Sequence, residues 1–318
     1  MPSIMQEKKR LLTGLQPSGT LHIGNYFGAL KPFIDLYDSY DSYLMVVDYH
    51  ALTTMRNPEQ LQENIRNIVK DYLAAGVDSE KITLFKQSDI AQHTELAWIF
   101  ECLVTVPVLM QAHSYKDKVA KGLEANAGLF NYPMLMAADI LLYDTQVVPV
   151  GEDQRQHIEY AREAANKFNN AFGKTFTAPT EHIIDGVGVV PGTDGKKMSK
   201  SYGNTIPLFG TKDEISKAVM GIVTDSFGGR PENVYAIHTL FRPESELDAL
   251  YEEKEGNYKA LKEVLIEDME MLVAPMRERR DGITDEQIRE VLASGAEKAR
   301  IYAEAKMQDV KNKIGVTV

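Results

Sequence analysis

Two periods alternate along the first part of this chain. Lys9–Gly14 carries Leu11-Leu12 at its centre and predicts a short strand. Tyr43–Val47, YLMVV, is an unbroken apolar run, the pattern of a strand covered on both faces. Lys81–Phe85 and Gln146–Val150 repeat the short apolar form. Between these runs the period lengthens. One helix is predicted from about Asn25 to Asp38, and another opens at Asn57-Pro58, with Asn57 as N-cap, Pro58 at N1 and Gln60 placed to complete a capping box. In that second helix Leu61, Ile65, Ile68, Val69, Tyr72 and Leu73 share one face, and Gly76 ends it. His93–Val104, Tyr132–Tyr143 and Glu152–Phe168 also read as helices. The alternation predicts an α/β fold, a Rossmann-like parallel sheet with helices on both faces.

After Ser201 the strand pattern stops. Lys212–Val223, Glu244–Tyr251, Asn257–Glu278 and Asp285–Asn312 predict helices only, with breaks at Gly228-Gly229, Gly256 and Gly282, and Phe227–Asn233 reads as a polar loop. The expected organisation is a Rossmann-like domain over residues 1–207 and an all-α domain over 208–318 whose last helix packs back toward the first domain.

Composition narrows the class. The 318 residues, 44% hydrophobic and 25% charged, suffice for a sizeable core. The single Cys102 leaves no internal disulfide or multi-cysteine metal site and fits a reducing compartment. MPSIMQEKKR lacks the apolar centre of a secretory signal, and no run approaches the roughly 18 apolar residues of a membrane span. A cytoplasmic protein without a membrane partner is expected. The net charge of −11 argues against a nucleic-acid-coating protein, yet local basic patches remain at Lys8-Lys9-Arg10, at Lys116/Lys118/Lys121 and at Arg277/Arg279/Arg280.

Three segments carry candidate chemistry. Gly14–Leu30, GLQPSGTLHIGNYFGAL, joins the first strand to the first helix. Its glycines permit close approach of a ligand, the helix end offers free N–H groups to an anion, and His22 and Asn25, three apart, can both donate to a phosphate. An ordinary Gly/Pro turn with a surface histidine is the plainer alternative. Gly195–Asn204, GKKMSKSYGN, crowds Lys197, Lys200, Ser199 and Ser201 into a Gly-rich loop, suited to grasping and releasing a polyphosphate or, more plainly, an exposed basic linker. Third, Tyr132, Met136, Asp139 and Tyr143 form one helical stripe holding a single carboxylate, which needs a protein or a ligand donor. Gly151-Glu152-Asp153-Gln154 follows a strand and starts a helix, where acidic residues complement the dipole but where sites are also built.

The Gly14–Leu30 loop resembles the HIGH signature of class I aminoacyl-tRNA synthetases, with Asn25 in place of the second histidine, and KKMSKS at Lys196–Ser201 matches the second signature of that class. QPSGxLHIGNYxGA, MAADILLY and VPVGEDQ are similar to the bacterial tryptophanyl branch, and VTDS at Val223–Ser226 and GAEKA at Gly295–Ala299 extend the likeness over the chain. The resemblance implies a tryptophan–tRNA ligase reaction in two steps. Tryptophan attacks the α-phosphate of ATP, giving tryptophanyl-adenylate and pyrophosphate, and the terminal ribose hydroxyl of tRNA(Trp) then takes the acyl group. It implies catalytic roles for His22, Asn25, Lys197 and Lys200, with Mg²⁺ held mainly by the phosphates of ATP. Positioning and electrostatic stabilisation alone can carry such a step.

By the same resemblance, Gln16, Pro17, Ser18, Gly24 and Asn25 line the ATP site, Gly151, Glu152 and Asp153 lie against the nucleotide, and Lys197, Met198, Ser199, Lys200 and Ser201 close over the triphosphate. VVPGTDGKKMSKS departs from the MSLxDPTKKMSKS form of many relatives, so adenine is flanked by Val190 or its neighbour Val189. Asp139 is expected to accept the indole N–H, Tyr132, Met136, Val47 and His50 to surround tryptophan, and Gln154 to reach its amino-acid end. A homodimer with tRNA spanning both subunits is implied. Competing readings are a tyrosyl-tRNA synthetase, a nucleotidyltransferase of the same superfamily, which usually lacks the KMSKS loop and so long a helical tail, and a non-catalytic paralogue.

Overall fold

The apolar runs do become strands, and a fifth joins them. A computed structural model describes residues 8–112, 115, 116, 120, 122, 126–150, 155–183, 190–224 and 229–317. Among these, β1 (Arg10–Leu15), β2 (Asp41–Val46), β3 (Thr83–Lys86), β4 (Val147–Val150) and β5 (Thr180–Ile183) form one sheet in the order β3-β2-β1-β4-β5. Every pairing is parallel, with β1 and β2 in register from Arg10↔Asp41 to Leu15↔Val46. The strand order reverses between β1 and β4, and in open α/β sheets the crevice beyond the strand tips at such a point is where ligands bind. The pattern reading left β5 out. It is a four-residue edge strand, TEHI, whose first three residues are polar, so no apolar run marks it.

The crossover helices follow the predicted periods with local differences. α1 begins at Ile23, before the expected Asn25, and runs as Ile23–Asn25, a π turn Tyr26–Leu30, and Lys31–Leu36. After β2 come a short α2 (Asp48–Ala51) and α3 (Pro58–Ala74). Asn57 caps α3 through Gln60 N–H at 3.0 Å, but the Gln60 amide donates to Asn64 instead, so the reciprocal half of the expected capping box is not made. α4 (Gln92–Glu101) and α5 (Val106–Leu109) follow β3, α6 (Ala127–Leu141) precedes β4, and α7 (Arg155–Phe172) precedes β5. The remaining helices are α8 (Lys212–Met220), α9 (Glu232–His238), α10 (Glu244–Glu253), α11 (Tyr258–Gly282) and α12 (Asp285–Ile314). Helix α9 corrects the predicted loop over Phe227–Asn233: Pro231 is its N-cap, and Glu232 and Asn233 lie in its first turn. Its buried Val234, Tyr235 and Ile237 were a visible apolar signal. None of the described helices is long and apolar enough to cross a membrane.

Alternate strand residues feed two cores, as period-two strands require. Leu11, Leu44, Val46 and Leu84 face α1, α3 and the helical region, where Leu265, Met269 and Val273 of α11 join the same cluster. Leu12, Tyr43, Met45 and Phe85 face α4, α6 and α7. Helix α12 contributes to both: Ile288 and Leu292 enter the first core, while Ala296, Ala299, Ala303 and Met307 enter the second. At the crossing stands Gly295, where a Cβ would overlap the Leu84 carbonyl oxygen of β3. The last helix thus covers the edge strand, which shields its unpaired backbone.

The Arg277/Arg279/Arg280 patch and Arg10 of the first patch act as internal staples, while Lys8 and Lys9 stay exposed. Arg280 Nε pairs with buried Asp71 of α3 at 2.6 Å, Arg279 donates to the Ala74 carbonyl and Arg277 pairs with Glu270. Arg10 pairs with Asp41 and lies 4.2 Å over the Tyr302 ring of α12. Clustered charge in sequence here joins helices to the sheet, which the linear pattern does not distinguish from an open patch.

Candidate active site

At the tip of β1 the chain has no room for side chains. A Cβ on Gly14 would come within 2.9 Å of the Met45 carbonyl oxygen and of Val47 on the neighbouring strand. Val47 N–H donates to Leu15 O at 3.2 Å, tying the two strand tips together. The loop then turns through Gly19 at φ +103°, a left-handed conformation that favours glycine. Gln16 and Ser18 are exposed and Pro17 is buried.

His22 is the N-cap of α1 and is buried, so the surface-histidine reading fails. Its Nδ1 accepts the Asn25 N–H at 3.2 Å, and its own N–H donates to Asn25 Oδ1 at 3.1 Å. This reciprocal cap fixes both side chains. Burial, and secondarily the charge on Lys200, lower the His22 pKa to about 4. The imidazole is therefore neutral at physiological pH, and since Nδ1 accepts, the proton sits on Nε2. His22 Nε2 and Asn25 Nδ2 have no protein partner among the described residues. They are two donors left for something else at a helix N-terminus.

The second signature folds directly onto the first. Ile206–Leu208 pairs with the Leu21–Ile23 segment through Ile23 N–H to Ile206 O and Leu208 N–H to Leu21 O, both 3.0 Å. Lys200 Nζ donates to Ser18 O at 3.1 Å. Its pKa is lowered by burial, against the pull of Asp71. Gly24 N–H, at the start of α1, donates to Met198 Sδ at 3.3 Å. A thioether is a weak acceptor, so an anion can replace it at small cost. Met198 N–H in turn donates to Val190 O at 2.9 Å, and Lys197 bridges to Pro191, which places Val190 beside the loop. Buried Asn204 holds the loop's shape: Oδ1 accepts Ser199 N–H at 2.8 Å and Nδ2 donates to Asp194 at 2.6 Å and to Lys197 O at 3.1 Å. Ser201 and Lys197 are exposed.

Asp139 lies on α6, 2% exposed, beneath the tips of β2 and β3. His50 Nε2 of α2 donates to its Oδ2 at 2.8 Å, and Gln87, which follows β3, donates through Nε2 to Oδ1 at 2.8 Å and Oδ2 at 3.0 Å. His93 Nδ1 of α4 lies 2.6 Å from Oδ1, and its Nε2 is bonded to Tyr143 OH at 2.8 Å. Burial pushes the Asp139 carboxyl up, but His50 and His93 outweigh it and hold the group well below the usual carboxylate range. It is an anion with no Lys or Arg paired to it among the described residues. The Tyr132 ring stands 6.2 Å from the His50 ring, with its hydroxyl bonded to His157 at 2.7 Å, and Met136 and Val47 are half-buried against the same core.

Comparisons with known proteins show the family. Residues 5–290 match the family model of tRNA synthetases class I (W and Y). A tryptophan–tRNA ligase of Fusobacterium nucleatum is 46% identical over 97% of this chain and 98% of its own. One of Campylobacter jejuni is 44% identical over 96% of this chain and 100% of its own. The crystal structure of the Campylobacter jejuni tryptophanyl-tRNA synthetase complexed with ADP and tryptophan superposes with TM-score 0.89 at 43% identity, covering 96% of this chain and 99% of that one. The chain belongs to the class I tRNA synthetases of the tryptophan and tyrosine group.

In this class I synthetase the expected site residues fall into two neighbouring sets. Gln16–Asn25, Val190 and Lys197–Ser201 meet around the start of α1, and Val47, His50, Tyr132, Met136 and Asp139 gather under the tips of β1–β3. Gly151, Glu152, Asp153, Gln154 and Val189 lie outside the described residues. Reading the chain alone missed Gln87, His93 and Asn204. The first had a signal: Gln87-Ser88 directly follows β3, a strand tip where synthetase chemistry is built. His93 looked like a helix start and Asn204 like a linker residue, because their partners are distant in sequence.

Proposed function

We propose that this chain is a tryptophan–tRNA ligase. It activates L-tryptophan with ATP to tryptophanyl-adenylate, releases pyrophosphate, and transfers tryptophan to the 3′ end of tRNA(Trp). The observation that carries the reading is the seating of the second signature on the first, Lys200 on Ser18 O and Met198 on Gly24 N–H. A triphosphate entering there exchanges the thioether for its own oxygens on the helix N-terminus. The neutral His22 Nε2–H and the Asn25 amide donate to it, and Lys197 and Lys200 neutralise charge growing on the phosphates. Fixed donors of this kind stabilise a transition state without reorganising. Mg²⁺ arrives with ATP as part of the substrate. The resemblance assigns Gly151, Glu152 and Asp153 to the nucleotide and Val190 to adenine.

Asp139 selects tryptophan by accepting the indole N–H, with Tyr132, Met136, Val47 and His50 around the ring and Gln154 at the amino-acid end. A site built around a polar contact rejects the analogue lacking that group far more strongly than an apolar pocket rejects a size difference. Residues 208–318 are assigned to anticodon recognition. A homodimer carrying tRNA across both subunits is supported by apolar side chains left exposed on and after α4: Trp98 is 67% exposed, Val106 58% and Met110 52%. Pyrophosphate exchange into ATP, run with each amino acid in turn, tests the activity: exchange is expected with tryptophan, and exchange with tyrosine instead would overturn the assignment. Light scattering tests the dimer, which monomers at micromolar concentration would contradict.

A further inference from the structure

Gln87 is fully buried and uses both ends of its amide on the tryptophan side of the site. Its Nε2 donates to both oxygens of Asp139, at 2.8 and 3.0 Å. Its Oε1 accepts the backbone N–H of Tyr49 at 3.1 Å and of His50 at 3.4 Å. The next residue repeats the tie: Ser88 N–H donates to Asp48 Oδ1 at 2.9 Å. So the turn that carries His50 and the helix that carries Asp139 are linked through one side chain from a third element, the tip of β3. A primary amide suits this bridge because it is neutral and holds a donor and an acceptor at fixed separation. A lysine there would pair with the Asp139 charge and leave less of it for an incoming N–H.

We infer that Gln87 is the positioning residue for indole recognition: it locks the Asp139 carboxylate against the His50 turn so that the anion meets the ring N–H in one orientation. The inference rests on the tryptophan–tRNA ligase reading and extends it by one residue that does not touch the substrate. Without Gln87, His50 still holds Oδ2 and His93 still stands at Oδ1, but the bond that spans both oxygens and ties them to the Tyr49–His50 backbone is gone, so the carboxylate tilts and the contact to the ring N–H is lost in part while the apolar pocket remains.

The test uses the full-length enzyme in pyrophosphate exchange with two amino acids, tryptophan and 3-(1-benzothiophen-3-yl)-L-alanine, in which sulfur replaces the indole N–H. Gln87→Met keeps the volume and removes both polar ends. It is expected to raise KM for tryptophan on the order of tenfold or more and to leave KM for ATP within about twofold. The preference for tryptophan over the sulfur analogue should shrink by a similar factor, since only the contact to the ring N–H distinguishes the two. Gln87→Glu retains the acceptor for Tyr49 and His50 but sets a second carboxylate against Asp139, so it should be worse for tryptophan than Gln87→Met. A residue that merely supported the turn would give the opposite order, and would leave the analogue preference intact in both variants. Either result overturns the inference while exchange by the unaltered enzyme still supports the ligase reading. If the unaltered enzyme shows no tryptophan-dependent exchange, both fall. Should Gln87→Met not fold, the order of Gln87→Glu against the unaltered enzyme and its analogue preference decide alone.

Discussion

Among the described residues two of the buried aspartates, Asp139 and Asp268, are paired with histidine, and they are not equivalent. Asp268 on α11 accepts His238 Nε2 at 2.7 Å and a two-pronged contact from Arg242, with Nε and Nη2 each at 2.5 Å. His238 is held from its other side by Tyr251 OH at 3.2 Å. Burial pushes this carboxyl up, and Arg242 and His238 bring it below its ordinary range. A guanidinium is always charged, so this knot is electrically closed. Asp139 has two histidines and an amide, none of them permanently charged. The same contrast runs through their surroundings. In the helical region, Arg280–Asp71 and Arg277–Glu270 are spent on joining elements. At the strand tips, Asp139 is held by side chains without a permanent charge, and the side-chain donors of His22 and Asn25 have no protein partner among the described residues. An enclosed charge without a permanent counter-charge is costly, and it marks where a partner from outside is expected.

The contrast can be broken by exchanging the expected outcomes. Asp139→Asn is expected to lower kcat/KM for tryptophan by on the order of 10³ while leaving ATP binding nearly intact. Equal loss for both substrates in exchange kinetics would remove the distinction. Asp268→Ala should act the other way. It leaves Arg242 and His238 unpaired and should destabilise the fold by about 3 kcal/mol, the low end for a broken buried pair because the Arg242 side chain remains 35% exposed. Urea unfolding measures this, and kinetics of the still-folded fraction should be near normal.

Lys200→Ala is expected to slow adenylate formation by roughly 10² in single-turnover assays, with tryptophan binding little changed. An unaltered rate would place Lys200 with the structural charges. A stability effect without a direct kinetic one belongs to His22's titration. Its pKa is near 4 in the folded chain against an ordinary 6.5, so the unfolded chain binds a proton first as pH falls. Stability present at neutral pH is therefore lost progressively across that window, with a slope of at most about 1.4 kcal/mol per pH unit. Denaturation midpoints at neutral and mildly acidic pH check this, and His22→Gln should flatten the dependence.

Much of the architecture was legible because it follows from local periods. Tyr43–Val46 of the YLMVV run is buried along its length because both sheet faces are covered, and Val47 just beyond the strand is half-buried. Helix α3 begins and ends where Asn57-Pro58 and Gly76 place it, to within two residues. β5 has no apolar run to mark it, and the apolar Val234–Ile237 stretch of α9 is hidden behind the turn-like Gly228-Gly229 and Pro231 that precede it. In the site, the two signatures were visible as composition: glycine where backbones approach, and lysine and serine where an anion is handled. The carboxylate at Asp139 was visible as a polar residue in an apolar stripe. Its three protein partners were not, since they come from α2, the tip of β3 and α4, separated from it by 46 to 89 residues.

What the amino-acid order determined by itself is the alternation of strands and helices, the segments able to meet a phosphate, and the stripe that holds a carboxylate. These depend on side-chain period and backbone freedom, which act over a few residues. Only the tertiary structure decided which charges are closed and which are open. It turned Arg279 and Arg280 inward as staples and laid Met198 over Gly24. It also left Asp139 clamped by two histidines and an amide, because pairing and burial are set by whatever the fold brings within a few ångströms, however far apart in the chain.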